Sequence, residues 1–101
     1  MSNVGTVKVT MYSATKKEWE VVVDARLDTG AARTSVDESL ADFLRLPSVG
    51  EIKTRSAHGR RVRELVEATL LYNGTEYTLD VSLSNREKME YPMILGRDVL
   101  E

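Results

Sequence analysis

The first part of the chain alternates apolar and polar residues with a period of two, which is the pattern of half-buried β-strands. This alternation predicts a strand over Thr6–Tyr12. A turn over residues 13–17 should then lead into a second strand over residues 19–27. Residues 21–23 are all valine, and an apolar run without interruption predicts burial on both faces. The second strand leads directly into Asp28.

A short helix is predicted after these strands. Ser35 and Glu38 have the S-x-x-E spacing of a capping box, in which two side chains satisfy backbone N–H groups at a helix N-terminus. Apolar residues follow at helical spacing, and Pro47 prevents the helix from continuing. We therefore expect a helix over roughly residues 37–45, closing one end of a barrel.

The second half of the chain predicts short strands joined by tight turns. Residues 50–56 and 60–72 should pair as a hairpin around residues 57–59. Asn73-Gly74 is the sequence that a type I′ turn requires, and it should lead into an alternating strand over residues 77–83.

The C-terminal part predicts a charged loop, a last core strand and the start of a helix. These lie over residues 85–90, over residues 92–95 and from Asp98 onwards. Many short strands with few helical stretches favour an all-β fold, a small closed or partly open barrel with one or two short helices.

Composition places the chain among ordinary folded proteins. It has 101 residues, of which 42% are hydrophobic and 30% charged, so we expect residues 1–101 to form a single domain. The net charge of -2 gives no reason to expect nucleic acid or a membrane as partner. Neither a membrane-spanning apolar stretch nor a secretory leader is recognisable, so the cytoplasm is the expected compartment.

The cysteine and histidine content of the sequence argues against several kinds of site. The sequence has no cysteine, which removes disulfides, thiol nucleophiles and thiolate metal sites. His58 is the only histidine and no G-x-S-x-G occurs, so a serine hydrolase is disfavoured. A zinc site would have to combine His58 with scattered carboxylates, and no Walker phosphate loop is present. We expect no metal and no cofactor.

Two motifs near opposite ends of the chain carry the most specific signal. They are Asp28-Thr29-Gly30-Ala31 and Ile94-Leu95-Gly96-Arg97-Asp98. Alone, the first is typical of a turn, because Asp accepts from its own backbone and Gly supplies positive φ. Together the motifs resemble those of the retropepsin-like aspartic proteases. Within that group the sequence is most similar to small prokaryotic proteins described as ATP-dependent zinc proteases, which join a comparable first motif to a Tyr-Pro-hydrophobic-Gly-Arg segment like that of residues 91–97.

The resemblance implies peptide hydrolysis by a pair of carboxylates. One ionised Asp takes a proton from water, and one protonated Asp polarises the scissile carbonyl. The implied catalytic residues are Asp28, Thr29 and Gly30, with the Thr29 hydroxyl holding the loop and Gly30 permitting close backbone approach. Because the chain has one such motif, the site requires a homodimer in which each copy contributes Asp28.

The resemblance also implies a substrate groove and a support behind the catalytic loop. The hairpin around residues 57–59 would be the flap that covers a bound peptide, although without the order of elements it is an ordinary exposed hairpin. The implied substrate-binding residues are Ala31, Ala32, Arg33, Ala57, His58 and Gly59. The implied supporting residues are Ile94, Leu95, Gly96 and Arg97, of which Ile94 and Leu95 should be fully buried.

The predicted hairpin is rich in positive charge. Its cations are Lys53, Arg55, His58, Arg60, Arg61 and Arg63. Such a run is typical of a solvated surface. If the hairpin is a flap, the same charges would lie near the groove and favour an acidic peptide or protein substrate.

The sequence departs from the family at two places. Retroviral relatives carry an Asp after Asp-Thr-Gly-Ala that pairs with the later Arg, but here Ala32 and Arg33 follow. Arg97 must therefore bind another group, such as a backbone carbonyl of the catalytic loop or a carboxylate of the second subunit. Retroviral relatives also continue into a terminal interface strand. Unless the protein continues past Glu101, its dimer would rest on the N-terminal strand, the catalytic loops and the flaps.

A second function is compatible with the same residues. The chain could be a non-catalytic peptide-binding or dimerisation module that retains the barrel and groove, or a domain that requires a separate partner chain. Retention of Asp28 favours the peptidase.

Overall fold

The computed structural model describes residues 5–16, 18–56, 59–84 and 91–101, with backbone alone for 54–56. Its strands and helices are β1 (Thr6–Tyr12), β2 (Glu20–Leu27), β3 (Ser35–Asp37), α1 (Glu38–Phe43), β4 (Ser48–Ser56), β5 (Gly59–Tyr72), β6 (Thr75–Ser84), β7 (Met93–Leu95) and α2 (Arg97–Leu100).

The strands form one sheet that closes on itself. Their order is β1-β2-β7-β3-β6-β5-β4, and β1 also pairs with β5 through Thr10↔Leu71 and Met11↔Leu70. This additional pairing closes six strands into a barrel, while β4 pairs with β5 alone and extends the sheet outside it. The mainly β barrel with two short helices that the sequence predicted is confirmed.

The core fills the barrel with side chains from alternate strand positions. Val9, Met11, Leu70, Val81 and Leu95 are fully buried in it. Burying one such side chain stabilises a fold by about 1.5–3 kcal/mol. The two helices also cover the core. Ala41 of α1 and Val99 of α2 are buried, and Leu40 and Leu100 pack against the core from the same helices.

The valine run of β2 is buried on one face only, so the prediction of burial on both faces is wrong. Val22 is 57% exposed, whereas Val21 and Val23 are partly buried against the core. The reason is that a single closed sheet has one interior. Alternate residues of β2 must therefore face outwards, whatever their hydrophobicity.

The predicted helix exists and begins where it was expected, but the predicted capping box is wrong. Ser35 does not cap it, because Ser35 pairs with Ser82 of β6 and with Ile94 of β7 as part of strand β3. The N-cap is Asp37, whose carboxylate accepts from the Ser39 backbone N–H at 3.0 Å and from the Ser39 hydroxyl. The helix ends before Arg45, which has a positive φ of 58°.

Both predicted hairpins are confirmed in the described residues. Strands β4 and β5 pair from Ser48↔Val66 out to Ser56↔Gly59. Asn73 and Gly74 have φ values of 53° and 80°, as a type I′ turn requires. The hairpin tip at residues 57–58 and the predicted charged loop at 85–90 lie outside the described residues. No helix in the described part of the chain is long and apolar enough to cross a membrane.

Candidate active site

The topology of the sheet brings the two sequence motifs together. Strand β7 lies between β2 and β3, parallel to β2 through Leu27↔Leu95 and antiparallel to β3 through Ser35↔Ile94. The segment from 28 to 34 joins β2 to β3 and so must pass over the end of β7. We call it the catalytic loop, after the role that the sequence resemblance implies for Asp28. The residues that follow β7 therefore lie directly behind the loop.

Asp28 is held by backbone hydrogen bonds at the end of β2. Its N–H donates to the Leu95 carbonyl at 2.9 Å, and its carbonyl accepts from the Ala31 N–H at 3.1 Å. The Gly30 N–H donates to Asp28 Oδ1 at 2.9 Å. The carboxylate is partly exposed, so one oxygen is oriented by the loop while the group stays accessible to a ligand.

Arg97 clamps the catalytic loop from behind. Its backbone N–H donates to the Ala31 carbonyl at 2.8 Å, and its Nη1 donates to the Thr29 carbonyl at 3.0 Å. Of the two partners expected for Arg97, a backbone carbonyl of the catalytic loop is confirmed. A guanidinium donates well to a carbonyl, so the missing carboxylate at Ala32 does not leave Arg97 without an acceptor.

Gly96 is required by the closeness of this contact. A Cβ atom at this position would lie 2.7 Å from the Arg33 carbonyl carbon and 2.8 Å from the Ala31 oxygen. Those atoms are backbone, so they cannot rotate away as a side chain could. Gly30 is less constrained, because its nearest neighbour would be the Asp28 Oδ1 atom at 3.2 Å.

A partly buried network of hydrogen bonds, which the sequence did not reveal, fixes the far end of the loop. The Thr34 hydroxyl donates to Asp98 Oδ1 at 2.6 Å and accepts from the Gly96 N–H at 3.1 Å. The Thr34 N–H also donates to the Asp98 carboxylate, at 2.9 and 3.0 Å to its two oxygens. Asp98 belongs to the second motif and was available to sequence reasoning, but nothing in the local sequence distinguishes Thr34 from a surface residue.

The two apolar supporting residues differ in burial. Leu95 is fully buried, as predicted, but Ile94 is only partly buried, so its predicted full burial is wrong. Successive residues of β7 point to opposite faces of the sheet, and Met93 and Leu95 share the interior face. Thr29 is exposed, and the role of its hydroxyl stays a prediction.

The chain is similar in structure to a retroviral protease, a retroviral protease-like domain and a protein of unknown function. EIAV protease in complex with the inhibitor HBY-793 is similar with a TM-score of 0.72 and 17% identity, over 99% of this chain and 88% of that one. The retroviral protease-like domain of Ddi1 from Leishmania major gives 0.63 and 15% identity, over 99% and 77%. The protein Lpg0085 from Legionella pneumophila, of unknown function, gives 0.58 and 20% identity, over 98% and 87%.

The chain has the retropepsin-like fold. No protein-family model matches the sequence, and no curated protein matches it either. The likeness to solved structures is therefore a likeness of fold. Within this retropepsin-like barrel, the Asp28 loop and the segment from Gly96 to Asp98 are joined as described above.

A cavity of about 490 Å³ lies between the catalytic loop and the base of the β4–β5 hairpin. It is lined by Ala32, Arg33, Ser35, Ile52, Lys53, Arg63 and Ser82. Two of the predicted substrate-binding residues, Ala32 and Arg33, thus line it, and Gly59 lies further out on the hairpin with a φ of 113°. Ala57 and His58 lie outside the described residues. The contribution of β6, through Ser82, was not predicted because that strand is distant in sequence.

The described residues offer no metal site. Among residues 5–16, 18–56, 59–84 and 91–101, no three His, Cys, Asp or Glu side chains lie close enough together to hold a metal ion.

Proposed function

We propose that the protein is an aspartic-type peptidase that acts as a homodimer, with one Asp28 from each copy in a shared site. The observation that carries the proposal is the geometry of Asp28. Its carboxylate is oriented by the Gly30 N–H, remains partly exposed, and stands on a loop that the segment from Gly96 to Asp98 holds from behind. A loop fixed in this way would hold a catalytic group in place without reorganisation during the reaction.

The chemistry needs both copies. Two carboxylates a few ångströms apart cannot both ionise, so they share one proton. The ionised member takes a proton from the attacking water while the protonated member donates to the carbonyl oxygen of the peptide bond. Since each chain supplies one motif of this type, a monomer would hold half of the machinery.

The exposed face of the catalytic loop is consistent with such assembly. Thr29 and Gly30 are exposed in the single chain, and each leaves groups that a second copy could contact. The substrate would then bind in the cavity between the catalytic loop and the hairpin, and the hairpin would act as the flap.

The test compares the protein with its Asp28→Asn variant on a diverse peptide mixture, from acidic to neutral pH. New peptide termini, detected by mass spectrometry, should appear with the parent protein and be absent with the variant. Asn keeps the acceptor for the Gly30 N–H, so the variant should unfold at the same denaturant concentration. Asp24→Asn is the matched control, because Asp24 is a half-exposed carboxylate on β2 that pairs with Lys8 at the surface. Equal cleavage by the parent and the Asp28→Asn protein would remove Asp28 from the mechanism.

A further inference from the structure

The cavity beside the catalytic loop carries positive charge from three separate elements. Arg33 comes from the catalytic loop, Lys53 from β4 and Arg63 from β5. Among the described residues that line this cavity, none is a carboxylate. Three like charges facing one space repel one another, so their combined presence favours a ligand that brings negative charge.

Both guanidinium groups are positioned by the backbone of β6. Arg33 Nη1 donates to the Asp80 carbonyl at 3.2 Å, and Arg63 Nη1 donates to the Leu83 carbonyl at 3.3 Å. These two anchors lie on either side of Ser82, which lines the same cavity. The two arginines are thus oriented towards a common region, whereas an unanchored surface arginine would sample many rotamers.

Each guanidinium keeps most of its donors. A guanidinium has five N–H groups, and the bond to β6 engages one nitrogen of each. Within the part of the chain that the structure describes, no carboxylate lies within ion-pair distance of Arg33 or Arg63. The ion pair found there joins Lys8 of β1 to Asp24 of β2. The described carboxylates thus form no ion pair with these two arginines, although Glu38 and Glu64 line an adjoining pocket together with Arg63.

We propose that Arg33 and Arg63 form a carboxylate-binding subsite of the substrate groove, so that the substrate is a peptide with a Glu or Asp side chain beside the bond to be cleaved. This inference rests on the proposed function. Arginine matches a carboxylate with two parallel N–H donors, which gives direction as well as charge. Ile52 supplies an apolar wall for the methylene groups of a glutamate side chain, and Lys53 adds a third charge from β4.

Binding is measured with three fluorescent peptides and the Asp28→Asn protein, so that turnover plays no part. The first peptide carries a central Glu and an amidated C-terminus, the second has Gln in place of Glu, and the third has that Gln with a free C-terminal carboxylate. We expect the Glu peptide to bind about tenfold more tightly than its Gln match, since hydrogen bonds to charged groups are the strong ones. Equal affinity of the two amidated peptides, or binding of neither, contradicts the proposal. Preference for the third peptide would assign the subsite to a chain terminus and overturn the side-chain assignment.

Variants test whether the named arginines cause the preference. Arg33→Gln and Arg63→Gln should each reduce the Glu preference to about threefold or less, because one charged partner of the carboxylate is lost. Arg63→Glu should reverse it, favouring a matched peptide with central Lys. Arg45→Gln removes the same charge beyond the end of α1, away from this cavity, and should keep the preference of the parent. If Arg45→Gln lowers the preference as much as Arg33→Gln and Arg63→Gln do, net charge explains the effect and the subsite assignment is wrong.

Failure of this inference can be told apart from failure of the proposed function. If the protein prefers the Glu peptide through Arg33 and Arg63 but the parent never cleaves it, the subsite is supported and the peptidase proposal is contradicted. If the protein cleaves peptides with no distinction between Glu and Gln, the peptidase proposal is supported and the subsite is contradicted.

Discussion

The hydroxyl of Thr34 donates to the carboxylate of Asp98 at 2.6 Å, across 64 positions of the sequence. Thr34 is fully buried, and the same hydroxyl accepts from the Gly96 N–H. A single side chain thus joins the end of the catalytic loop to both the turn after β7 and the first turn of α2. The position of Asp28 depends on this junction, because the loop is fixed at its start by Leu95 and at its end by Thr34.

Replacing Thr34 by Val should destabilise the protein by about 1–3 kcal/mol. Val has nearly the same shape but no hydroxyl, so the Gly96 N–H loses its acceptor in a buried place. The free energy of unfolding, obtained by urea titration, measures the effect. Thr75→Val is the control, since Thr75 is exposed at the start of β6 and should change stability by less than about 0.5 kcal/mol. Equal stability of the two variants would mean that the junction does not hold the loop.

Gly96→Ala should be much more harmful than Gly30→Ala. The added Cβ at Gly96 meets backbone atoms at 2.7 to 2.9 Å, so the catalytic loop or β7 must move, and we expect a loss of about 3 kcal/mol or more. At Gly30 the added atom meets the Asp28 side chain at 3.2 Å, which a small rotation relieves, with a loss below about 1 kcal/mol. Thermal unfolding of the two variants side by side tests this order. The reverse order would show that the loop does not rest on Gly96.

Leu95→Ala and Ile94→Ala should differ in their cost to stability, because the two residues lie on opposite faces of β7. Leu95 is fully buried in the barrel, and its truncation should cost about 2–5 kcal/mol. Ile94 is partly exposed on the opposite face, so its truncation leaves a smaller cavity and should cost less than half as much. Chemical denaturation of both variants provides the comparison, and a larger loss at Ile94 would contradict the assigned orientation of the strand.

Cleavage per chain should fall on dilution if the active site is shared. The shared site exists in the dimer alone, so specific activity should follow the fraction of dimer through its dissociation constant. Activity and sedimentation measured over the same protein concentrations should give the same midpoint. Mixing the parent with excess Asp28→Asn protein should lower the activity below that of the parent alone at the same concentration. The reason is that mixed dimers carry one carboxyl group and one amide in the shared site. A rate per chain that is constant down to fully monomeric protein would rule out the shared site.

The sequence by itself determined the features that depend on neighbouring residues. Alternation of apolar and polar side chains located β1 and β6, because the side chains of a strand alternate between its two faces. The valine run of residues 21–23 located β2. Asn73-Gly74 specified its turn, because both residues tolerate positive φ. The motif from Asp28 to Ala31 and the segment from Gly96 to Asp98 indicated the fold before any contact between them was known.

The tertiary structure alone decided which distant segments meet. Ser35 has the spacing of a helix cap, yet strand pairing with β6 and β7 places it in β3, because several backbone hydrogen bonds outweigh one capping bond. Val22 is as apolar as its neighbours but faces outwards, because closing one sheet into a barrel leaves a single interior. The bonds from Thr34 to Asp98 and from Arg33 to Asp80 join residues 64 and 47 positions apart, and no local pattern encodes such pairs. Those contacts follow from the passage of the catalytic loop over the end of β7, which exists once the barrel has closed.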